Sequence, residues 1–286
     1  MKTFALIVTY NRLDSLKRVL NCVLNQTRKL DKIVVVNNDS TDGTQEWLEE
    51  QPGIQVIKQA NLGGAGGFHT GVKECYEQGA DWIWMMDDDV FPNDNCLEEL
   101  FKYTNISNCL NITRYWSNGD YVPQYFYYDI NYNVSRELEP NLEVDYQTMN
   151  TCCFEGLLIS RDIVKKIGFP DSDFFIAGDD TIYGFLASSH TNVILVKNAI
   201  AIKLQSGLSP CPRPFYTYYK TRNHFLINNY KKLVTGRGFS LVSWFKYFKG
   251  VLFSAIKRFV IGQTEISRAI LRGCFDGIKQ KKGNTF

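Results

Sequence analysis

Five apolar residues, Trp82-Ile83-Trp84-Met85-Met86, run directly into Asp87-Asp88-Asp89. A short apolar run of this kind is the pattern of a buried strand. Its carboxyl end therefore delivers three carboxylates to one point. Adjacent carboxylates repel one another, and burying them unpaired is costly. A divalent cation is the simplest partner that holds them together. Side chains alternate along an extended backbone, so Asp87 and Asp89 should face one way and Asp88 the other. The plain alternative is an acidic, solvated turn, and the uninterrupted apolar approach argues against it.

The rest of the N-terminal half has the same rhythm. Phe4–Val8 reads as a strand, and residues 11–26 show helical spacing through Leu13, Leu16, Val19, Leu20 and Val23. Lys32–Val36 is a second strand, ending in Asn37-Asn38-Asp39-Ser40. A helix to Glu50 follows, with Thr41 or Asp42 as its cap. Ile54–Lys58 is a third strand, and Asn61-Leu62-Gly63-Gly64-Ala65-Gly66-Gly67 is predicted as a flexible loop before a helix to about Gln78. Alternating strands and helices imply an α/β fold, a doubly wound, mostly parallel mixed sheet flanked by helices. Ligands of such sheets bind beyond the carboxyl ends of the strands. Thr9-Tyr10-Asn11-Arg12, residues 37–42, the glycine segment and the triple aspartate all fall there.

Residues 103–150 are rich in Tyr, Asn and turn residues and are read as antiparallel strands and loops. Residues 153–160 form a strand pattern, 161–167 a short helix, 181–188 a helix and 193–196 a strand. Between them Phe174-Phe175-Ile176-Ala177-Gly178 leads into a second carboxylate pair, Asp179-Asp180. A helix start favours negative charge at that place. Facing the first site across a cleft, one of the pair can accept a proton from an attacking hydroxyl; the other reading is a helix cap. The three histidines are scattered and read as structural.

No Gly-Lys-Ser/Thr follows the glycine segment, and it does not follow the first strand, so neither a Walker loop nor a dinucleotide fingerprint is present. An acidic cation site beside a nucleotide-sized sheet edge suggests a nucleoside-diphosphate donor, with Mn2+ or Mg2+ neutralising the departing diphosphate. A nucleotidyltransferase would share these parts, but its Gly-rich, basic N-terminal signature is absent after Val8. Intact carboxylates at both sites argue against a non-catalytic membrane-associated scaffold.

Taken together, Thr9-Tyr10-Asn11-Arg12, the stretch Val34–Gly43, Asn61 with its glycines, and Met86–Asp89 resemble the inverting glycosyltransferases of family 2. Gly156–Ser160, Gly168-Phe169-Pro170 and Phe174–Gly184 are similar to the galactofuranosyl- and rhamnosyltransferase branch of that family. The resemblance covers residues 3–230 and implies a GT-A fold. It implies that Thr9, Asn11, Arg12, Asn38, Asp42, Asn61, Gly63, Gly64, Asp87 and Asp88 bind the nucleotide sugar. Asp89, with Asp87, would hold the metal. Asp180 would be the catalytic base and Asp179 its acceptor-binding neighbour. Glu155, Lys203, Tyr219, Arg222 and Asn223 are candidates for the acceptor or the diphosphate. The donor expected is a UDP sugar, UDP-galactofuranose first, with dTDP-rhamnose second. The acceptor expected is a saccharide or a lipid-linked oligosaccharide of a bacterial surface polysaccharide.

The chain departs from the branch in two places. A histidine that can contact the metal is missing from residues 199–205, where Lys203 or Gln205 fills the space. Ala177 stands where a tryptophan is common, which enlarges the acceptor side.

Charge divides the chain. Residues 220–286 carry 14 Lys/Arg against 2 acids, and residues 1–219 carry 18 against 28. This split suggests an acidic catalytic body before a basic tail; with the resemblance, the expected division is a catalytic domain at 1–214, with a nucleotide-sugar half 1–102 and an acceptor half 103–214, before a basic helical region 215–286. On a helical wheel Lys246, Lys249 and Lys257 fall within about 80° of one another, opposite a broad apolar face. Interleaved aromatics favour an anionic membrane surface over nucleic acid; packing on the catalytic body or a homo-oligomer contact is the alternative. No signal peptide or spanning segment is read at the N-terminus or beyond it, and the eight cysteines show no ligand spacing. The expectation is reduced thiols and a cytoplasmic protein peripheral to the inner face of the membrane.

Overall fold

The computed structural model of the chain describes residues 1–138, 143–204 and 213–286. Gln205 lies outside them. The first half runs β1 (Thr3–Thr9), α1 (Leu13–Leu24), β2 (Lys32–Asn37), α2 (Thr44–Glu49), β3 (Ile54–Lys58), α3 (Gly63–Glu77), β4 (Trp82–Asp87), β5 (Val90–Pro92) and α4 (Cys96–Phe101). The second runs β6 (Cys109–Trp116), β7 (Gln124–Asp129), β8 (Val134–Leu138), β9 (Tyr146–Met149), β10 (Leu157–Ser160), α5 (Arg161–Ile167), α6 (Asp179–Ser188) and β11 (Val193–Lys203). Three helices close the chain: α7 (Pro214–Thr235), α8 (Leu241–Val260) and α9 (Thr264–Ile278).

The strands form a 9-stranded sheet in the order β3-β2-β1-β4-β10-β6-β11-β5, with β9 paired to β11. β1, β2, β3, β4, β6 and β11 run one way; β10, β5 and β9 run against them. All of β1 is buried because helices cover both faces of the sheet. Phe4, Leu6 and Val8 enter one core, while Ala5 and Ile7 enter the other. Leu16, Val19, Leu20 and Val23 seat α1 on the second core at helical spacing.

Two readings from sequence need correction. The glycine segment is the first turns of α3 rather than a flexible loop. Glycine is a poor helix former, but here packing overrides propensity: a Cβ on Gly67 would stand 2.4 Å from Val8 Cγ1, so only glycine lets the helix lie this close to β1. The region 103–150 is not uniformly antiparallel. β6 pairs parallel to β11 and antiparallel to β10 inside the main sheet, its core-facing residues buried, while the β7–β8 and β9–β11 pairs are antiparallel.

Gly63 is under a second constraint. Its φ is +73°, and a Cβ there would lie 2.1 Å from the carbonyl oxygen of Phe175. Neither atom can yield cheaply, since both belong to backbone. Gly63→Ala is expected to destabilise the fold by about 3 kcal/mol or more, seen as a thermal midpoint lowered by roughly 6 °C or more. Gly64→Ala, whose Cβ would meet nothing within 4 Å, is the control and should be neutral or slightly stabilising. Equal midpoints for the two variants would refute this account.

The basic region is helical. α7 buries Tyr218, Tyr219, Arg222, Asn223 and Phe225. α8 turns Trp244, Tyr247, Val251 and Ala255 toward its neighbours. Its other face leaves Phe245 70%, Phe253 69% and Phe259 64% exposed. No helix among the described residues is long and apolar enough to cross a membrane.

Candidate active site

The register of the sheet builds the site. β4 lies beside β1 with Val8 opposite Asp87, so the triple aspartate emerges next to Thr9 and Arg12. Alternation persists through the turn after β4. Asp88 turns toward β1, where its Oδ2 accepts from Thr9 Oγ1 at 2.8 Å and from the Tyr10 N–H at 3.2 Å. Its Oδ1 accepts from Arg12 Nη1 at 3.0 Å. Asp87 and Asp89 turn the other way and meet Glu155; these three carboxylates each offer an oxygen, all within 4.8 Å of one another. Gly156 donates to the Met85 carbonyl at 2.8 Å, which brings Glu155 up to this point. Lys203, opposite Val90 where β11 pairs with β5, reaches the same cluster.

Charge in the cluster is arranged by pairing. Glu155 binds both Arg114 and Lys203. Burial pushes its carboxyl up, but these two cations more than offset that and hold it below the usual range. Asp87 makes no ion pair among the described residues; burial, with Glu155 and Asp89 beside it, outweighs the pull of Lys203 and drives it well above the usual carboxylate range. Asp89 Oδ2 accepts from Arg12 at 2.8 Å, whereas its Oδ1 is buried without a hydrogen bond, with the Lys203 ammonium 3.6 Å away. An orphaned carboxylate oxygen beside two further oxygen donors fits a hard divalent cation such as Mn2+ or Mg2+. Glu155, expected on the acceptor or diphosphate side, thus belongs with the acids around this point.

A cavity of about 550 Å3 opens above these groups. Thr9, Arg12, Asn38, Asn61, Gly63, Gly64, Asp87, Asp88, Asp89 and Lys203 line it, with Phe175, Ile176, Phe215 and Asn284. Asn38 is held by both ends of its amide, donating to the Gly63 carbonyl and accepting from Gln59. Asn11 and Asp42, expected to contact the nucleotide, are absent from this lining. Asn11 Oδ1 accepts from the Thr41 N–H at 2.7 Å. Asp42 accepts from the Leu13 N–H at 2.9 Å and from Thr44 Oγ1 at 2.5 Å, so it caps two helices at once. Both residues hold the loops behind the cavity.

Asp180 lies in a smaller neighbouring cavity of about 230 Å3 with Arg114, Gln124, Cys153, Glu155 and Lys203. Lys203 lines both cavities and marks their junction. Asp179 and Asp180 open α6 behind Gly178, whose φ of +95° makes the turn into the helix. Burial, with Asp180 alongside, pushes Asp179 up to about 8. Burial also raises Asp180, against the pull of the Thr181 N–H, which donates to its Oδ1 at 2.6 Å.

Tyr219, Arg222 and Asn223, expected on the acceptor or diphosphate side, line neither of these two cavities. Arg222 is fully buried and donates to the carbonyls of Asp173, Phe174 and Gly283. Asn223 donates to the carbonyls of Phe174, Ile176 and Ala177. The Tyr219 hydroxyl is taken up by Asn284 and by the N–H groups of Thr285 and Phe286. Arg222 and Asn223 clamp the segment in which Phe175 and Ala177 adopt positive φ just before Asp179, and Tyr219 holds the C-terminal residues. Two contributors were missed from sequence. Arg114 had only one signal, a lone charge within the strand Cys109–Trp116. Asn284, brought to the cavity by the C-terminal segment, had none.

Comparison with known proteins agrees with this geometry. The model of the family described as glycosyl transferase family 2 matches residues 4–168. Galactofuranosyltransferase GlfT1 of Mycolicibacterium smegmatis is 32% identical over 187 residues, covering 62% of this chain and 62% of the relative. GlfT1 of Mycobacterium tuberculosis is 30% identical over the same length. The chain thus matches less than two thirds of the length of these relatives. Among solved structures, Staphylococcus aureus TarS in complex with UDP-GlcNAc superposes with a TM-score of 0.58 at 16% identity, over 79% of this chain and 66% of that one. The mannosyltransferase PcManGT of Pyrobaculum calidifontis superposes with a TM-score of 0.57 at 12% identity, over 98% of this chain and 88% of that one. These likenesses carry the GT-A fold. With the matching family model spanning the strands that build the donor-side cavity, the chain belongs to family 2 of the glycosyltransferases.

Proposed function

We propose that the protein transfers galactofuranose from UDP-galactofuranose to a saccharide hydroxyl with inversion, on a lipid-linked precursor of a bacterial surface polysaccharide. The observation that carries this reading is the junction at Lys203, where a nucleotide-sized cavity meets the pocket of Asp180. The names of the GlfT1 relatives support the sugar. TarS solved with UDP-GlcNAc, and PcManGT with GDP-Man and Mn2+, support a nucleotide sugar and a divalent ion.

Thr9, Asn38, Asn61, Gly63 and Gly64 shape the nucleotide side, and Asp89, Asp87 and Glu155 would hold Mn2+ or Mg2+. The ion, when bound, stabilises charge on the diphosphate. Arg12 and Lys203 set fixed positive charge beside the same place. Asp180 takes the proton of the acceptor hydroxyl as its oxygen attacks the anomeric carbon. The bond from that carbon to the diphosphate breaks on the opposite side, UDP departs, and the configuration inverts. The apolar face of α8, rimmed by Lys246, Lys249 and Lys257, supports docking at the anionic inner face of the membrane.

The test is a thermal-shift and product panel in Mn2+ with UDP-galactofuranose, UDP-glucose, dTDP-rhamnose and GDP-mannose. A donor at a hundred times its Kd should stabilise the fold by about 2.7 kcal/mol. UDP-galactofuranose is expected to give the largest shift and to release UDP. A larger shift with dTDP-rhamnose would replace the donor, and release of pyrophosphate would replace the reaction class.

A further inference from the structure

A third cavity, of about 660 Å3, is neither of the two above. It begins at the first turn of α6, where Ala177, Gly178 and Thr181 line it beside Asp179 and Asp180. From there it runs between α7 and α8. Its volume lies in the range of small-molecule sites, roughly 300–1,000 Å3. The walls are amphipathic: Ile227, Tyr247, Val251 and Ile270 supply apolar surface, and Lys220 and Lys246 supply charge. No acidic residue lines it, and neither lysine makes an ion pair among the described residues. His224 adds no charge at neutral pH, since burial pulls it down to about 4; its ring stacks on Tyr247 at 3.7 Å.

Among the described residues, a cavity with two ammonium groups outside any ion pair, partly apolar walls and no acid is complementary to an anion carried on an apolar chain. Its one end lies at the first turn of α6, the turn that also carries the proposed base, and its α8 wall backs onto the exposed face of Phe245, Phe253 and Phe259. We infer that this cavity seats the non-sugar part of the acceptor, a phosphate ester of a long apolar alcohol. Lys220 and Lys246 bind the phosphate, and the chain leaves along α8 toward the membrane side. The saccharide then extends toward Asp180. The small side chain of Ala177 keeps the cavity continuous with the first turn of α6. The inference rests on the proposed transfer reaction only for the identity of the sugar end; the seat itself can be tested without turnover.

The probe is dodecyl phosphate, below its critical micelle concentration, titrated calorimetrically into the full chain without vesicles. Dodecyl maltoside and inorganic phosphate are the comparison ligands. Dodecyl phosphate is expected to bind at least about tenfold tighter than either, because a charge-assisted contact and apolar burial add. Gly250 lines the cavity, and a Cβ built there meets nothing within 4 Å, so Gly250→Trp can fill the space without disturbing the helix. That variant should lose dodecyl phosphate binding. Lys220→Ala/Lys246→Ala should weaken it about tenfold or more while leaving dodecyl maltoside unchanged. Phe253→Ser, on the outer face of α8, should bind as the parent does. Unchanged dodecyl phosphate binding in both cavity variants, or equal binding of dodecyl maltoside, overturns the proposal. UDP affinity in Mn2+, measured on the same samples, separates the two readings: its absence removes the donor site and leaves the lipid-phosphate seat standing.

Discussion

Asp180→Asn is expected to lower kcat for transfer by about three orders of magnitude, in the upper part of the span for loss of a general base, while UDP affinity in Mn2+ stays within about twofold. The side chain keeps its size and its place at the start of α6, and the Thr181 N–H still has an oxygen to meet. What it loses is basicity. That loss equals about 4 kcal/mol of barrier at 1.36 kcal/mol per tenfold. Asp179→Asn is the informative partner. Burial, with Asp180 alongside, raises Asp179 and favours its neutral form, and an amide copies that form. It should retain at least about a tenth of the parent kcat at pH 7. Because burial also raises Asp180, the rising limb of the parent's pH profile should lie above the usual carboxylate range. Activity should fall as pH drops through that limb, since the base is then protonated. Turnover retained in Asp180→Asn, or an equal loss in Asp179→Asn, would remove the assignment of the base.

The parts of this site readable in sequence are those set by local periodicity. The apolar run before Asp87 fixes a strand, and the strand fixes which carboxylates share a side. The same logic places Thr9 and Asn38 at neighbouring strand ends, because consecutive strands in a parallel sheet bring their carboxyl ends to one edge. Arg114, Glu155 and Lys203 come from β6, the segment before β10 and the end of β11, and only sheet order brings them together. Their triad has no local signature. Arg222 and Asn223 show the opposite failure. Their polar character reads as a ligand-binding motif, yet burial turns most of their donors toward backbone carbonyls and the rest toward neighbouring side chains. Polar residues on an α-helix carry no sign of whether solvent or a strained loop lies above them. The glycines of α3 mislead in the same way, since close approach of helix to sheet and chain flexibility both select glycine.

The second large effect concerns Asp89, and its signature differs from a simple loss of affinity. In the parent, UDP should bind at least about a hundredfold more tightly in Mn2+ than in EDTA, because Asp87, Asp89 and Glu155 would hold the ion and it would offset the charge of the diphosphate. Asp89→Ala removes one of three oxygen donors that approach within 4.8 Å. It also removes the carboxylate that faces Arg12 at 2.8 Å and Lys203 at 3.6 Å. Those cations remain, now less neutralised, and both line the donor cavity. UDP affinity in EDTA should therefore hold or rise slightly, while the gain from Mn2+ disappears. Glu155→Gln should reduce the gain as well, but with a cost in stability. Arg114 is buried and Glu155 is its carboxylate partner, so the variant leaves a buried cation short of a counter-charge. Lys203→Ala separates the remaining possibility. If the ammonium substitutes for an ion, that variant should lose UDP affinity in EDTA and in Mn2+ alike; if it only flanks the ion, the Mn2+ gain should survive. A Mn2+ gain intact in Asp89→Ala would count decisively against a metal held by the triple aspartate.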